Sequence, residues 1–452
     1  MDKKQERRLD DVANAAAAGG MSRLAFVRRA LALGLAAPAV AGALAALEGP
    51  AEALAATTPT PITFGSWGSL DEQITINQVL KVFMQRYPTI AVQPQYTSFG
   101  DYFVKLNADL AAKSIPDVMF LTYVPTYASK GALQDIRAMS RQHGKNLAAY
   151  TPGELFLFEW SGGLYGVPRD NDTKVIFYNR KLFRAAGVPY PTNGWSWDEL
   201  RATAKRLTKG SGARISQYGF AYETDFWRLW LWENGVELFD NDARPTRVAF
   251  DTPAAARALQ FIADLTNRGN VTPPASQMAS SATIASLFAG GQLAMAFGNH
   301  ALVPTFAKTP GLDWSVVGMP HFAGRPVVNA AGGAGYTMSR FTKAPAATYQ
   351  LWDFLTGPMA TLTFSEGNDV TPINPGVLRS GFWRSKPYNA VFQQQTTLGH
   401  RLPSFPTFFD VYTAADTVLQ SLWTGQKTAA QVLPAAAAAA TKTLKSEGSG
   451  VK

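Results

Sequence analysis

Beyond residue 55, short apolar runs alternate along the chain with stretches of helical hydrophobic periodicity. The run at 62–64 is the first strand-like segment. An amphipathic helix is predicted after it, with apolar residues at 4-3-4 spacing: Ile76, Leu80, Phe83 and Tyr87. Ser69 and Glu72 form the capping box that begins this helix. A further buried strand is predicted at 118–121. Alternation of this kind is typical of an α/β fold with parallel strands.

Later helices carry equally clear boundary signals. Ser196 and Glu199 form a second capping box, and Pro253 and Gly269 bracket another helix. In open α/β sheets, ligands gather at the carboxyl ends of the strands. The candidates for a binding site are therefore the polar and aromatic residues that follow predicted strands: Trp67, Tyr123, 169–172 and Asn299.

The segment GVPRDNDTKVIFYN, residues 166–179, stands out because five polar residues precede an apolar strand at 175–178. Asp170 and Asp172 point the same way in an extended segment, at a separation of ~7 Å. That separation falls in the range of an inverting glycoside hydrolase. A ligand clamp and a solvated loop fit the same residues, and Arg169 and Asp172 can pair with each other.

The first 55 residues are predicted to be a cleaved export signal. Arg23, Arg28 and Arg29 precede an uncharged run at 30–47, and Ala-Leu-Ala at 53–55 supplies a small-x-small cleavage site. The segment SRLAFVR at 22–28 is similar to a twin-arginine signal. The protein is therefore expected in the periplasm or at the extracytoplasmic surface.

Composition narrows the remaining function classes. The 452 residues are 46% hydrophobic, enough for two lobes, and the net charge of +9 is scattered rather than clustered, so nucleic-acid binding is not expected. The chain has no cysteine, and its four histidines lack metal-helix spacing. No nucleophile elbow or P-loop occurs either. We therefore expect no catalytic residue, no metal and no cofactor.

The tryptophans suggest a ligand class. In DFWRLWLWENG, Trp227 and Trp230 share one helical face. A core stripe accounts for them equally well. Flat sugar faces stack on aromatic rings, and sugar hydroxyls need carboxylate and amide partners. An exported protein with both residue types after its strands suits a sugar ligand.

Several motifs resemble the extracellular solute-binding proteins, family 1, of ABC importers, the maltose-binding-protein-like group. The most specific piece is GGLYGVPRDNDTKVIFYNRKLFRAAGVP followed by WSWDELRATAKRLT. PDVMFLTYVPTYASKGALQDI, LFAGGQLAMAFGNH, AGGAGYTMS and LWTGQKTAAQVL follow in the family's order. The resemblance implies a periplasmic-binding-protein-like fold, in which two α/β lobes joined by crossover strands close on a solute.

The resemblance also implies boundaries and a site. Residues 56–169 and 314–357 are expected to form lobe 1, and 174–312 and 359–452 to form lobe 2, with crossovers near 169–174, 312–314 and 357–359. The cleft residues that it implies, together with the tryptophan candidate, are Trp67, Ser69, Tyr123, Asp170, Asn171, Trp227, Asn299, Tyr336, Asn368 and Phe409. Alanine at Asp170 is expected to weaken binding without unfolding the protein.

The function implied is a monomeric receptor that binds a small-molecule solute, a mono- or oligosaccharide above all, and delivers it to the transmembrane subunits of a permease. An anion, a phosphodiester or a polyamine are alternative solutes, and the basic chain favours an anion among them. A secreted carbohydrate-active enzyme using Asp170 and Asp172, and a sensor partner of a signalling receptor, are the competing classes.

Overall fold

The computed structural model describes residues 58–147, 150, 155–367, 370–373 and 375–447. The described residues from Thr60 onward form one compact unit. The predicted export signal at 1–55 and the predicted site residue Asn368 lie outside the described residues.

The first sheet contains five strands in the order β2-β1-β3-β12-β6. Its strands are β1 (Thr60–Trp67), β2 (Ile90–Thr97), β3 (Val118–Leu121), β6 (Gly166–Pro168) and β12 (Gly335–Met338). β1 runs parallel to β2 and β3, as the sequence predicts, whereas β12 runs antiparallel to β3 and β6. The hairpin β4 (Glu159–Trp160) and β5 (Gly163–Leu164) precedes β6.

Helices cover this sheet. They are α1 (Leu70–Arg86), α2 (Phe99–Ala111), α3 (Pro125–Ala128), α4 (Ile136–Gln142), α12 (Pro345–Leu355) and α13 (Pro358–Glu366). Ser69 caps α1 by accepting a hydrogen bond from the Glu72 amide, and Ile76, Leu80 and Phe83 of α1 are buried, which confirms the predicted helix. The apolar stripe therefore faces the sheet, as its spacing requires.

The second sheet contains three strands in the order β10-β8-β9, namely β8 (Val175–Asn179), β9 (Met295–Gly298) and β10 (Trp314–Val317). Both neighbours run antiparallel to β8. The prediction of parallel strands is therefore wrong for this sheet. The chain enters the sheet from the first lobe through β8, and β9 runs back toward that entry, so that Gly298 lies opposite Val175.

The second lobe is richer in helix. Its helices are α5 (Arg180–Ala185), α6 (Trp197–Leu207), α7 (Trp227–Glu233), α8 (Pro253–Asn267), α9 (Ala275–Met278), α10 (Ser281–Ala289), α11 (Val303–Lys308), α14 (Pro375–Leu378), α15 (Gly381–Arg384), α16 (Pro387–Thr396), α17 (Phe408–Trp423) and α18 (Ala429–Glu447). Short 3-10 turns lie at Phe156–Phe158, Gly212–Arg214, Thr224–Phe226 and His300–Leu302. The predicted capping box of Ser196 and Glu199 is present at α6.

Three chain segments lie side by side between the two sheets, and we call them the hinge. β7 (Asp170–Asn171) pairs antiparallel with β13 (Thr371–Pro372). The amides of Arg169 and Asp172 donate to the carbonyls of Ala334 and Gly332. Gly333, at φ +149°, is required here because a Cβ would lie 2.3 Å from the Asp170 carbonyl oxygen. A short two-stranded ladder of β11 (Asn329–Ala330) and β14 (Gly399–His400) precedes this turn.

The predicted crossover near 169–174 stays a prediction, and the strand pairing differs from the other two predicted crossovers. Trp314–Val317 pairs with β8 in the second sheet, so the chain returns to the first sheet after residue 317 rather than at 312–314. α13 packs against α1, and the hinge strand β13 follows it, so the last crossing lies at 370–373 rather than at 357–359.

A buried arginine fixes the hinge to the first lobe. Arg169 Nε donates to Asp170 Oδ2 (2.6 Å), and Arg169 Nη1 lies 2.8 Å from Glu72 Oε1. The guanidinium lies over the rings of Phe120 (4.1 Å) and Phe364 (5.1 Å). The other oxygen of Asp170 accepts from the Ala334 amide (3.1 Å). Burial raises the pKa of Asp170, and the neighbouring Arg169 opposes that shift.

A single glutamate lies in the aromatic core of the second lobe. Glu233, at the end of α7, is fully buried, and its Oε2 accepts from Trp197 Nε1 (2.8 Å). Its Oε1 has no hydrogen-bond partner among the described residues. Burial raises the pKa of Glu233 well above the usual range, and the Trp197 hydrogen bond opposes this. Burial therefore favours the neutral, protonated form of this carboxyl group.

Asp170→Ala should lower the free energy of unfolding by about 3 kcal/mol, because it removes one partner of a buried ion pair while Glu72 remains. Urea unfolding measures this loss. Asp251→Ala, at an exposed carboxylate, is the control and should stay within about 0.5 kcal/mol of wild type. An Asp170→Ala protein as stable as the control would contradict the structural role of the pair.

Glu233→Gln should remove the loss of stability that the wild-type protein shows as the pH rises above the ordinary glutamate pKa. The folded protein holds the Glu233 proton more tightly than the unfolded chain does, so wild-type stability is full below the ordinary glutamate pKa and falls as the pH rises. The slope reaches about 1.4 kcal/mol per pH unit. Urea unfolding from about pH 5 to about pH 9 measures it, with the exposed Glu366→Gln as control. Equal slopes in all three proteins would refute the assignment.

Candidate functional site

The hinge brings one edge of each sheet together. In the first sheet, β1 and β3 end at Trp67 and Leu121, and β6 ends at Pro168, where the hinge begins. In the second sheet, Val175 lies opposite Gly298, and Ala221 bridges in parallel to Ala296. Three segments therefore arrive at the hinge-facing edge of the second sheet: 172–174, 222–226 and 298–300. The space between the two edges is the candidate site, called the cleft below.

A charged network lies on the second-lobe side of the cleft. Asn299 Nδ2 donates to Asp172 Oδ1, and Lys174 Nζ lies 3.7 Å from the same oxygen. Lys174 Nζ also lies 3.9 Å from Glu223 Oε2. Burial raises the pKa of Glu223 to about 7, and the charge of Lys174 opposes the shift. Asp172 thus pairs with Asn299, whereas the sequence allowed a pair with Arg169.

Aromatic rings and a second cation complete this side. Lys174 Nζ lies 4.0 Å from the centre of the Phe226 ring, and the Arg228 guanidinium lies 4.4 Å from the same centre. Arg228 Nη1 donates to the Tyr412 hydroxyl (3.2 Å) and to the Asp225 carbonyl (3.3 Å). Both cations are therefore already engaged with protein groups.

The two lobes touch beside the cleft, and two of these contacts involve Tyr123 and Lys308. The Tyr123 hydroxyl donates toward the carbonyls of Pro403 and Phe405 and accepts from the Phe405 amide. Lys308 of α11 pairs with Asp71 of α1 at 2.8 Å, and both side chains are exposed. Residues on both lobes therefore hold this arrangement of the cleft.

Phe409 and Tyr123, two of the predicted aromatic residues, meet where the lobes touch. Phe409, in the first turn of α17, lies edge-on to Tyr123, with ring centres 5.1 Å apart, and its side chain is 39% exposed. Trp67 is half-buried at the end of β1 and packs edge-on against Phe99 at 5.3 Å. Ser69 is nearby, and its hydroxyl is used as the cap of α1.

Two other predicted residues, Trp227 and Tyr336, are buried in the cores of the lobes. Trp227 is buried, with its ring stacked on Tyr412 at 4.5 Å and edge-on to Phe250. Tyr336 is fully buried between Phe64 and Phe120. The structure brings neither ring to the cleft surface, because both lie in the aromatic cores that their strand and helix cover.

Two further predictions fall on the hinge itself. Both oxygens of Asp170 are engaged, with Arg169 and with the Ala334 amide, which differs from the free ligand carboxylate expected from the sequence. Asn171 lies opposite Thr371 in the hinge ladder. Asn171 Oδ1 and Thr371 Oγ1 are buried and have no hydrogen-bond partner among the described residues. Asn171 thus keeps an acceptor for a solute or a water.

Sequence reasoning missed Lys174, Glu223 and Phe226. Glu223 and Phe226 lie between the apolar run FAY and the tryptophan-rich helix, in a polar stretch that follows a buried segment. The rule that ligand-binding residues follow buried strands selected Asn299, and it would also have selected Glu223 and Phe226. Lys174 carried no such signal, because a lysine at the start of a buried strand is ordinarily taken for its solvated end.

Neither a metal centre nor a membrane span is found within the part of the chain that the structure describes. No group of three His, Asp or Glu side chains is placed to hold a metal ion among those residues. None of their helices combines the length and apolar character that crossing a bilayer demands.

The chain is similar to known binding proteins along most of its length. A putative binding protein of Brucella abortus is 23% identical over 384 residues, covering 81% of this chain and 89% of that protein. The sn-glycerol-3-phosphate-binding periplasmic protein UgpB of Pectobacterium atrosepticum is 24% identical, covering 84% and 90%.

A solved structure shows the same fold. An ABC substrate-binding protein from Listeria monocytogenes, in complex with cycloalternan, superposes with a TM-score of 0.75 at 22% identity, covering 86% of this chain and 99% of that one. The fold is therefore periplasmic-binding-protein-like, with two α/β lobes. The family model "Bacterial extracellular solute-binding protein" matches residues 78–391, about two thirds of the chain. With that match, this chain belongs to the bacterial extracellular solute-binding protein family.

Proposed function

We propose that this protein is the exported receptor of an ABC importer, which binds a carbohydrate in the cleft and delivers it to a membrane permease. The observation that carries the proposal is the network of Asp172, Asn299, Lys174 and Glu223 beside the half-buried Phe226 ring, at the hinge-facing edge of the second sheet. Contacts from both lobes make the closed state the one with higher solute affinity.

The residue types at the cleft suit a sugar. Carboxylate and amide oxygens of Asp172, Glu223 and Asn299 accept hydrogen bonds from hydroxyl groups. Phe409 and Trp67 offer apolar ring surface from opposite lobes, on which a sugar face packs. The relative from Listeria supports this solute class, since it was solved with cycloalternan.

The charges of the cleft argue against a phosphate ester as solute, although the UgpB relative binds one. Three carboxyl groups, Asp172, Glu223 and Asp225, face two cations, Lys174 and Arg228. Both cations already contact protein acceptors or rings. A doubly charged phosphate group would meet an excess of negative charge, whereas a neutral sugar would not.

The contacts of Asp170 in the hinge support binding without turnover. Asp170, the expected partner of Asp172 in an acid pair, is held by Arg169 and the Ala334 amide, so it is not available as a general acid. We therefore propose a receptor rather than an enzyme. We place it in the periplasm or at the extracytoplasmic surface as a monomer that docks on the permease subunits.

Neutral mono- and oligosaccharides should raise the melting temperature of the purified protein, because a solute that binds the folded state stabilises it by mass action. A thermal-shift panel of sugars, glycerol 3-phosphate and polyamines measures the response. The saccharides that respond should be recovered unchanged after incubation. A response confined to glycerol 3-phosphate would refute the carbohydrate assignment, and cleavage products would refute the receptor.

Asp172→Ala should weaken binding of the responding saccharide about 10- to 100-fold, since a hydrogen bond to a charged group contributes about 1.5–3 kcal/mol. Isothermal titration calorimetry measures the dissociation constant. Asp251→Ala, outside the cleft, serves as the matched control and should bind like wild type. Unchanged affinity in folded Asp172→Ala protein would remove Asp172 from the site.

A further inference from the structure

Lys174 is an unusual residue for the wall of a sugar site. Its side chain is only 3% exposed, and its ammonium group lies between two carboxylates, 3.7 Å from Asp172 and 3.9 Å from Glu223. The rings of Phe226 (4.0 Å) and Phe297 (5.6 Å) flank the same group. Two carboxylates and two aromatic rings are the surroundings in which proteins bind an organic cation.

The backbone of Lys174 is fixed as firmly as its side chain. The Lys174 amide donates to Asn329 Oδ1 (3.0 Å), and its carbonyl accepts from Asn329 Nδ2 (2.7 Å). Asn329 is fully buried and also donates to Gln395 Oε1 (2.9 Å). The position of the Lys174 backbone is therefore set by the fold, and its buried side chain extends from that fixed point.

We infer that Lys174 is a built-in counter-ion that occupies a cation subsite of the cleft, so that the receptor accepts neutral solutes and rejects positively charged ones. The inference rests on the proposed function only in taking the cleft as the solute site. A cationic solute would need Asp172 and Glu223 as partners, and Lys174 already neutralises them. Without Lys174, the same carboxylates and rings would be left open to an ammonium group.

Glu223, the acidic partner of Lys174, offers the reciprocal test of this inference. Glu223 is the partner whose charge depends most on its surroundings, since burial raises its pKa to about 7. Lys174, Asp225, Asp172 and Arg228 are the charged groups around it. Replacing Glu223 with glutamine would leave Lys174 and Arg228 facing two carboxylates, and the cleft would then tolerate an anion better.

The test compares solute charge preferences of Lys174→Met and wild type, with putrescine as the probe. Lys174→Met keeps the length of the apolar stem and removes the charge. Its dissociation constant for putrescine, measured by calorimetry, should be at least about tenfold lower than that of wild type. Lys205→Met, at an exposed lysine of α6, should show no gain. Wild type that binds putrescine as tightly as folded Lys174→Met would overturn the inference, and so would folded Lys174→Met that gains nothing.

Glu223→Gln keeps the inference testable if Lys174→Met does not fold. This variant should gain binding of glycerol 3-phosphate, by at least about tenfold relative to wild type. No gain in the folded variant would overturn the inference. Neither the putrescine test nor the glycerol 3-phosphate test uses a saccharide. A wild-type protein that binds no sugar would therefore refute the carbohydrate proposal, and the binding of the charged solutes could still be compared.

Discussion

The buried guanidinium of Arg169 is the interaction on which the architecture of the cleft depends. It joins the hinge to α1 through Glu72, to its own neighbour Asp170, and to the rings of Phe120 and Phe364. A buried cation with this many partners costs several kcal/mol to disrupt. These contacts tie the start of the hinge to the first lobe.

Two aspartates only two positions apart have different surroundings. Asp170 belongs to the network of the first lobe, whereas Asp172 belongs to that of the second, through Asn299 and Lys174. The spacing of Asp170 and Asp172 in an extended segment indicated that their two carboxylates point to the same face of the strand. The strand ladder with β13 ends between them, and that pairing partner is distant in sequence, so the spacing alone could not reveal it.

Local signals predicted much of the fold. Ser69 and Ser196 cap α1 and α6 where the sequence predicts that both helices begin, and the complete capping box is present at α6. The antiparallel course of the second sheet was not predictable, because it depends on which strands meet. The same holds for Trp227, whose ring lies against Tyr412, 185 positions along the chain, rather than against a solute.

The exposed pair of Lys308 and Asp71 differs in kind from the buried contact of Tyr123 with the 403–405 segment. Dissolved ions screen exposed charges over a Debye length of about 8 Å at physiological ionic strength. They have little effect on buried hydrogen bonds. Salt should therefore weaken the Lys308–Asp71 contact between the lobes and leave the Tyr123 contact largely unchanged.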